Sequence, residues 1–143
     1  MIPRLPRCLP PAARGRRCPP DALTAVEALL ACGHDIQPIL SETAFATDTR
    51  FGCAAALRER LESLCGRAVI HTVPEAEPLG PARPLDALVI CPCTGNTLAK
   101  LANGVTDSAV TMAAKAHLRA DRPLLVSLAS NDAMSANLCN IGI

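Results

Sequence analysis

Three short polar runs in this chain carry residue types that can hold an anion or move a proton: Thr94-Gly95-Asn96-Thr97, Ser41-Glu42-Thr43 and Ser130-Asn131-Asp132. Each follows an apolar stretch, where a strand would end and loops or helix N-termini present backbone N–H groups. The hydroxyls of Thr94 and Thr97 and the amide of Asn96 can bind a phosphate. Gly95 permits close backbone approach, and the helix dipole favours negative charge there. The same residues can serve simply as a helix N-cap, and the sequence leaves both uses open. Asp132 has the chemistry of an acid or base, with capping as its plainer role.

Cys91 and Cys93 invite a metal reading. It is weak, because no second ligand pair stands at zinc-site spacing. No metal is therefore expected. His34, His71 and His117 are scattered, stand in no nucleophile or metal motif, and read as surface or packing residues. Lys100 and Lys115 read as solvated helix positions, and Asp107 as the cap of a helix beginning near Ser108.

The elements that must position these runs can be drawn from periodicity. Leu23, Val26, Leu29 and Leu30 recur at helical spacing in "DALTAVEALLACG", with Asp21 as N-cap and Gly33 as stop. "CAAALRERLESLCG" (53–66) is amphipathic, and 94–103 and 106–118 read as two further helices. "DIQPIL" (35–40) and "AVIHTV" (68–73) are strand candidates. "DALVICP" (86–92) and "RPLLVSLA" (122–129) are nearly continuous apolar runs, expected to be covered on both faces of a parallel sheet. "SETAFATDTRFG" reads as a polar turn, "PEAEPLGPARPL" (74–85) as a proline-rich surface connection, and "AMSANLCNIGI" as a helix cut short. The alternation predicts an α/β sandwich with right-handed crossovers.

The bulk numbers agree. A chain of 143 residues has the length of one domain. It lacks Trp and Tyr and has only Phe45 and Phe51 as aromatics, so its core must be aliphatic. A net charge of +1 gives no electrostatic reason to expect nucleic acid or an anionic membrane. No apolar run approaches the roughly 20 residues of a membrane span. The eight cysteines are expected to be free, packed as small hydrophobes in a reducing cytoplasm. Residues 1–20 hold six prolines and five arginines and are expected to be disordered or an aberrant start, leaving 21–143 as the domain.

"PCTGNTLAKLANGVTD" resembles the "PxxxNTxxKxAxGxxD" stretch of the flavin-dependent cysteine decarboxylase superfamily. Together with "TDTRFG", "AEPLGP" and "SNDAMSANLCNIG", it is most similar to the B-subunit family of dipicolinate synthases. The resemblance implies a Rossmann-like flavoprotein sandwich with a parallel sheet. It further implies a cytoplasmic oligomer in the mother cell of a spore-forming bacterium, working with the A subunit of dipicolinate synthase, a dehydrogenase-like partner that carries NAD(P). The pair would make dipicolinate from a hydroxylated tetrahydrodipicolinate precursor of the lysine pathway, a small dicarboxylate. This chain would supply an FMN site or part of the substrate site.

Carried over by residue, cofactor contacts fall on Thr94, Gly95, Asn96 and Thr97, with Ser41, Ser130, Asn131 and Asp132 completing the wall; no catalytic residue is assigned. Decarboxylase members use a histidine in the loop before the strand leading to the NT motif. "EAEPLGPARPL" has none, which disfavours that chemistry. A non-catalytic assembly role is the third reading. The family's first strand and its "GxTGSxC" turn are absent, and so are its last elements. A partial domain, inactive alone, is therefore expected.

Overall fold

The computed structural model describes residues 20–49, 52–129 and 137–142. Helix α1 (Pro20–Ala31) already contains Asp21 in its first turn, so Asp21 is not its N-cap; it stops before Gly33, whose φ of 83° suits glycine. The expectation of disorder over residues 1–20 lies almost wholly outside the described residues. After the short extended stretch to Leu40 comes a helix where the sequence suggests only a turn, α2 (Glu42–Ala46), capped by Ser41. Helix α3 (Ala54–Cys65) follows, held at its start by the Asp48 carboxylate, which accepts the Ala54 N–H at 2.8 Å. It ends on Gly66 in the left-handed region. An exposed Arg60–Glu27 ion pair at 2.7 Å joins α3 to α1.

The expected strands at 35–40 and 68–73 shrink to one parallel bridge, Ile39 with Ile70. Two prolines limit them, Pro38 within the first and Pro74 just beyond the second. Residues 74–85, expected as a surface connection, are part of the core. Helix α4 (Val73–Ala76) and a 3₁₀ turn (Glu77–Leu79) bury Ala76, Leu79 and Gly80. Glu75 makes the turn possible by accepting the N–H groups of His71 and Thr72 at 3.1 and 3.2 Å.

Strand β1 (Leu88–Cys93), helix α5 (Gly95–Ala102), helix α6 (Ala109–Leu118) and strand β2 (Leu124–Leu128) form a parallel crossover unit, and α7 (Leu138–Ile141) follows. Leu88 pairs with Leu124 and Ile90 with Val126, and the register slips between Ile90 and Cys93. The missing N–H of Pro92 fits that slip. Leu88, Ile90 and Cys93 face a core made with Ala76, Leu79, Leu98, Ala109, Ala113 and Ala114. The alanines let α6 lie close to its neighbours.

The double covering expected of the two apolar strands is not observed among the described residues. Val89 is 50% and Leu125 63% exposed, because the helices that touch the pair lie on one side only. Continuous apolar sequence signals permission for burial on both faces, not its presence. The cysteines also depart from expectation. The six described are free, but only Cys93 is buried, while Cys32, Cys53, Cys91 and Cys139 are exposed and Cys65 is half-buried. No helix among the described residues is long and apolar enough to cross a membrane.

Candidate functional site

The turn after β1 is built as a helix start. Thr94 is the N-cap of α5, with extended backbone, and its Oγ1 accepts the Thr97 N–H at 3.2 Å. Its hydroxyl also lies 3.1 Å from the Thr97 Oγ1. The Leu98 N–H reaches the Thr94 carbonyl at 2.9 Å. This accounts for the third and fourth amides of the helix. The amides of Gly95 and Asn96 have no partner among the described residues, and neither has the exposed Asn96 side chain. Two converging N–H groups, a carboxamide and the positive end of a helix are a donor set for an anion. Thr94 and Thr97 chiefly shape it, because their hydroxyls are engaged with each other and with the cap.

The floor of the turn is Asn137, a residue with no sequence signal of its own. It is buried, and a Cβ placed on Gly95 would come within 3.0 Å of its Oδ1 and 3.3 Å of its Nδ2. Glycine at 95 thus lets the Asn137 side chain seat against the start of α5. Asn137 stands within the "SNDAMSANLCNIG" stretch, whose first three residues carry the more obvious polar chemistry. Those three, Ser130, Asn131 and Asp132, lie outside the described residues. Ser41 ends the Ile39 extended segment and is occupied as a cap, accepting the Ala44 N–H at 3.2 Å. No hydrogen bond joins it to the Thr94 turn.

The two other parts of the NT stretch have structural work. Lys100 donates to Asp107 at 2.7 Å, which clasps α5 to the start of α6. That bond holds the Asp107 carboxyl below its usual range. Asp107 does not cap α6, as expected from sequence; Ser108 does, in a reciprocal box with Thr111. Lys100 is an ion-pair partner, not a freely solvated cation. Cys91 is exposed and Cys93 buried; a regular strand would put these two on one face, and the register slip between Ile90 and Cys93 separates them. Burial pushes the Cys93 thiol up, away from the thiolate a metal needs.

Of the histidines, His71 is better placed than its sequence context suggested. Directly after Ile70, its ring stacks on Phe45, with centroids 3.7 Å apart and planes 7° from parallel. The Arg58 guanidinium lies over the same Phe45 ring at 4.8 Å. His71 Nδ1 is 3.4 Å from Glu75 Oε2, without hydrogen-bond geometry. His117 is wholly buried instead, and its Nε2 lies 2.9 Å from the Pro123 carbonyl. Two hollows, of about 390 and 430 Å³, open elsewhere, beside Leu101 and Lys115 and beside Gln37 and Arg83; neither includes Ser41 or the Thr94 turn.

A parallel crossover unit with an anion-receptive turn at the carboxyl end of its first strand defines a Rossmann-like α/β class of protein. The chain belongs to the Flavoprotein family, whose pattern matches residues 20–140. It is 41% identical over 128 residues to the B subunit of dipicolinate synthase from Bacillus subtilis strain 168, covering 89% of this chain and 64% of that protein. It is also similar to the crystal structure of the dipicolinate synthase B subunit from Bacillus halodurans, at 38% identity and a TM-score of 0.74, over 84% of this chain and 62% of that one. The FMN-dependent cysteine decarboxylase SpaF is similar at 25% identity and a TM-score of 0.64, over 85% and 70%. The chain thus spans somewhat under two thirds of the two dipicolinate synthase relatives.

Proposed function

We propose that this chain is the flavoprotein-fold part of a dipicolinate synthase B subunit, holding an anionic ligand at residues 94–97. The observation that carries this reading is the pair of amides at Gly95 and Asn96, which with the Asn96 carboxamide at the start of α5 have no partner among the described residues. The 41% identity to the Bacillus subtilis protein supports the assignment. The donor set fits either a flavin phosphate or a carboxylate of a dicarboxylate substrate. For FMN, Gly95 and Asn96 would hold the phosphate, with Thr94 and Thr97 shaping the turn and Ser41, Ser130, Asn131 and Asp132 lining the remainder. Flavin, when bound, supplies a two-electron acceptor. The chain's own residues bind the anion, orient it along the helix dipole and keep Gly95 close through Asn137. Oxidation with NAD(P) is assigned to the dehydrogenase-like A subunit.

The test combines the chain with the hydroxylated precursor and the dehydrogenase-like partner, following dipicolinate absorbance, while FMN and dipicolinate are titrated separately against the chain. Saturable binding of either ligand, weakened at least tenfold in Asn96→Ala, is expected. Unchanged binding and activity in that variant would refute the site. A second reading, decarboxylation of a cysteine carboxylate, draws on the stacked His71 at the end of the Ile70 segment and on the likeness to SpaF. Carbon dioxide release from a peptide ending in cysteine, lost in His71→Asn, would favour it over the first.

A further inference from the structure

The outer edge of the extended segment 68–71 is closed by two carboxylates. Ile70 turns both of its backbone groups towards residues 38–40, donating to the Pro38 carbonyl at 3.0 Å and accepting the Leu40 N–H at 2.9 Å. Alternation then points the N–H and C=O of Val69 and of His71 the other way. Neither N–H is left open. Glu62, in the last turn of α3, accepts the Val69 N–H at 3.1 Å, and Glu75, in α4, accepts the His71 N–H at 3.1 Å. The carbonyls of Val69 and His71 have no hydrogen-bond partner among the described residues. Donors are thus covered and acceptors bare along Ala68-Val69-Ile70, an apolar and partly β-branched run of the kind that pairs readily with another strand.

Each bond has a local use, since Glu75 closes the capping box of α4 and Glu62 ties the end of α3 to the segment after it. Local use does not explain why they act together. One carboxylate comes from seven residues before its amide and the other from four residues after, and they meet on one edge at alternate residues. We propose that Glu62 and Glu75 guard this edge against a second copy of the chain. Without them the edge is self-complementary: two copies running antiparallel about a two-fold axis at Ile70 set Val69 of each opposite His71 of the other, where each pair exchanges N–H and C=O. With the guards in place the N–H groups that such pairing needs are taken, and the approach sets the carboxylates of one copy against those of the other. The Glu75 guard keeps its charge, because the His71 and Thr72 N–H groups hold its carboxyl below the usual range. Association of the chain is thereby directed to its other surfaces.

The experiment uses the full chain with Glu62→Ala and Glu75→Ala combined. Its control combines Glu62→Gln with Glu75→Gln, whose carboxamide oxygens still accept the two N–H groups. Mass is read by sedimentation equilibrium over a range of concentrations, and amide exchange residue by residue. The alanine pair is expected to raise the mass about twofold over wild type at equal concentration, with exchange at Val69 and His71 slowing about tenfold as concentration rises. The glutamine pair should keep the wild-type mass. An alanine variant that keeps both the wild-type mass and the wild-type protection of the Ile90 amide would overturn the guard. So would a rise in mass that leaves exchange at Val69 and His71 independent of concentration, or equal association of the glutamine pair. The wild type supplies an arm that no loss of folding in a variant can void. Its Val69 and His71 amides should exchange slowly at every concentration, and fast exchange at either would show that the carboxylates do not hold the edge.

Discussion

Asn96 separates the two uses of the Thr94 turn, because a charge placed there acts oppositely on them. Asn96→Asp puts a carboxylate in the first turn of α5, where the helix dipole stabilises it by about 0.5 kcal/mol. The same carboxylate repels a phosphate or a dicarboxylate from the Gly95 and Asn96 amides. A cap alone predicts a small rise in melting temperature and no effect on ligand. An anion site predicts that small rise together with at least a tenfold loss of FMN or dipicolinate affinity, read by calorimetry. Gly80 gives the sharpest purely structural prediction. A Cβ there would run into the Ala116 carbonyl oxygen, a backbone atom, with no flexible group to give way. Gly80→Ala should cost about 3 kcal/mol in denaturant unfolding.

Elements are joined here by a few bonds that the sequence only half disclosed. His117 on α6 reaches the Pro123 carbonyl, the same oxygen that receives the Leu88 N–H, so one atom ties the covering helix to the head of the β1–β2 ladder. His117→Ala removes that donor and leaves a void where a wholly buried side chain stood, so a loss of about 3 kcal/mol in urea unfolding is expected. The clasp of Lys100 on Asp107 and the two amides on Glu75 hold both carboxyls beneath their ordinary range, as does the Ala54 N–H for Asp48. A carboxyl depressed on folding adds stability above its unfolded pKa, near 4, and loses it as the pH falls through the lower folded value. Thermal stability should therefore be flat from about pH 7 to 5 and decline below about pH 4. Asp107→Asn should make that decline shallower.

The helices were legible because their apolar spacing and glycine stops are local; α1, α3, α5 and α6 fall within a few residues of their expected bounds. The segment 74–85 was not, because its prolines signal a loop while the burial of Ala76 and Leu79 depends on α6, far along the chain. The helix start after β1 was readable to within two residues, since either Thr94 or Asn96 could cap it, and Thr94 does. Asn137 was missed because its partner, Gly95, is silent in sequence terms until the two are seen together.

At the scale of the whole molecule, the balance rests on one face of the central pair. Ile90 is 6% exposed and Leu125 63%, although both lie in uninterrupted apolar runs that look alike in sequence. If the helices cover only the Leu88, Ile90 and Cys93 side, the two strands should respond very differently to shortening. Ile90→Ala should cost about 3 kcal/mol, the lost transfer energy plus a cavity beside Ala113 and Ala114. Leu125→Ser should stay within about 0.5 kcal/mol, as for an exposed position. Equal costs in a denaturant series would mean that both faces are buried in solution, by a second copy or by a segment of the same chain. The same pair of variants, compared over a hundredfold range of protein concentration, decides between those: a penalty at Leu125 that grows with concentration assigns the cover to self-association, and a constant one places it within the monomer.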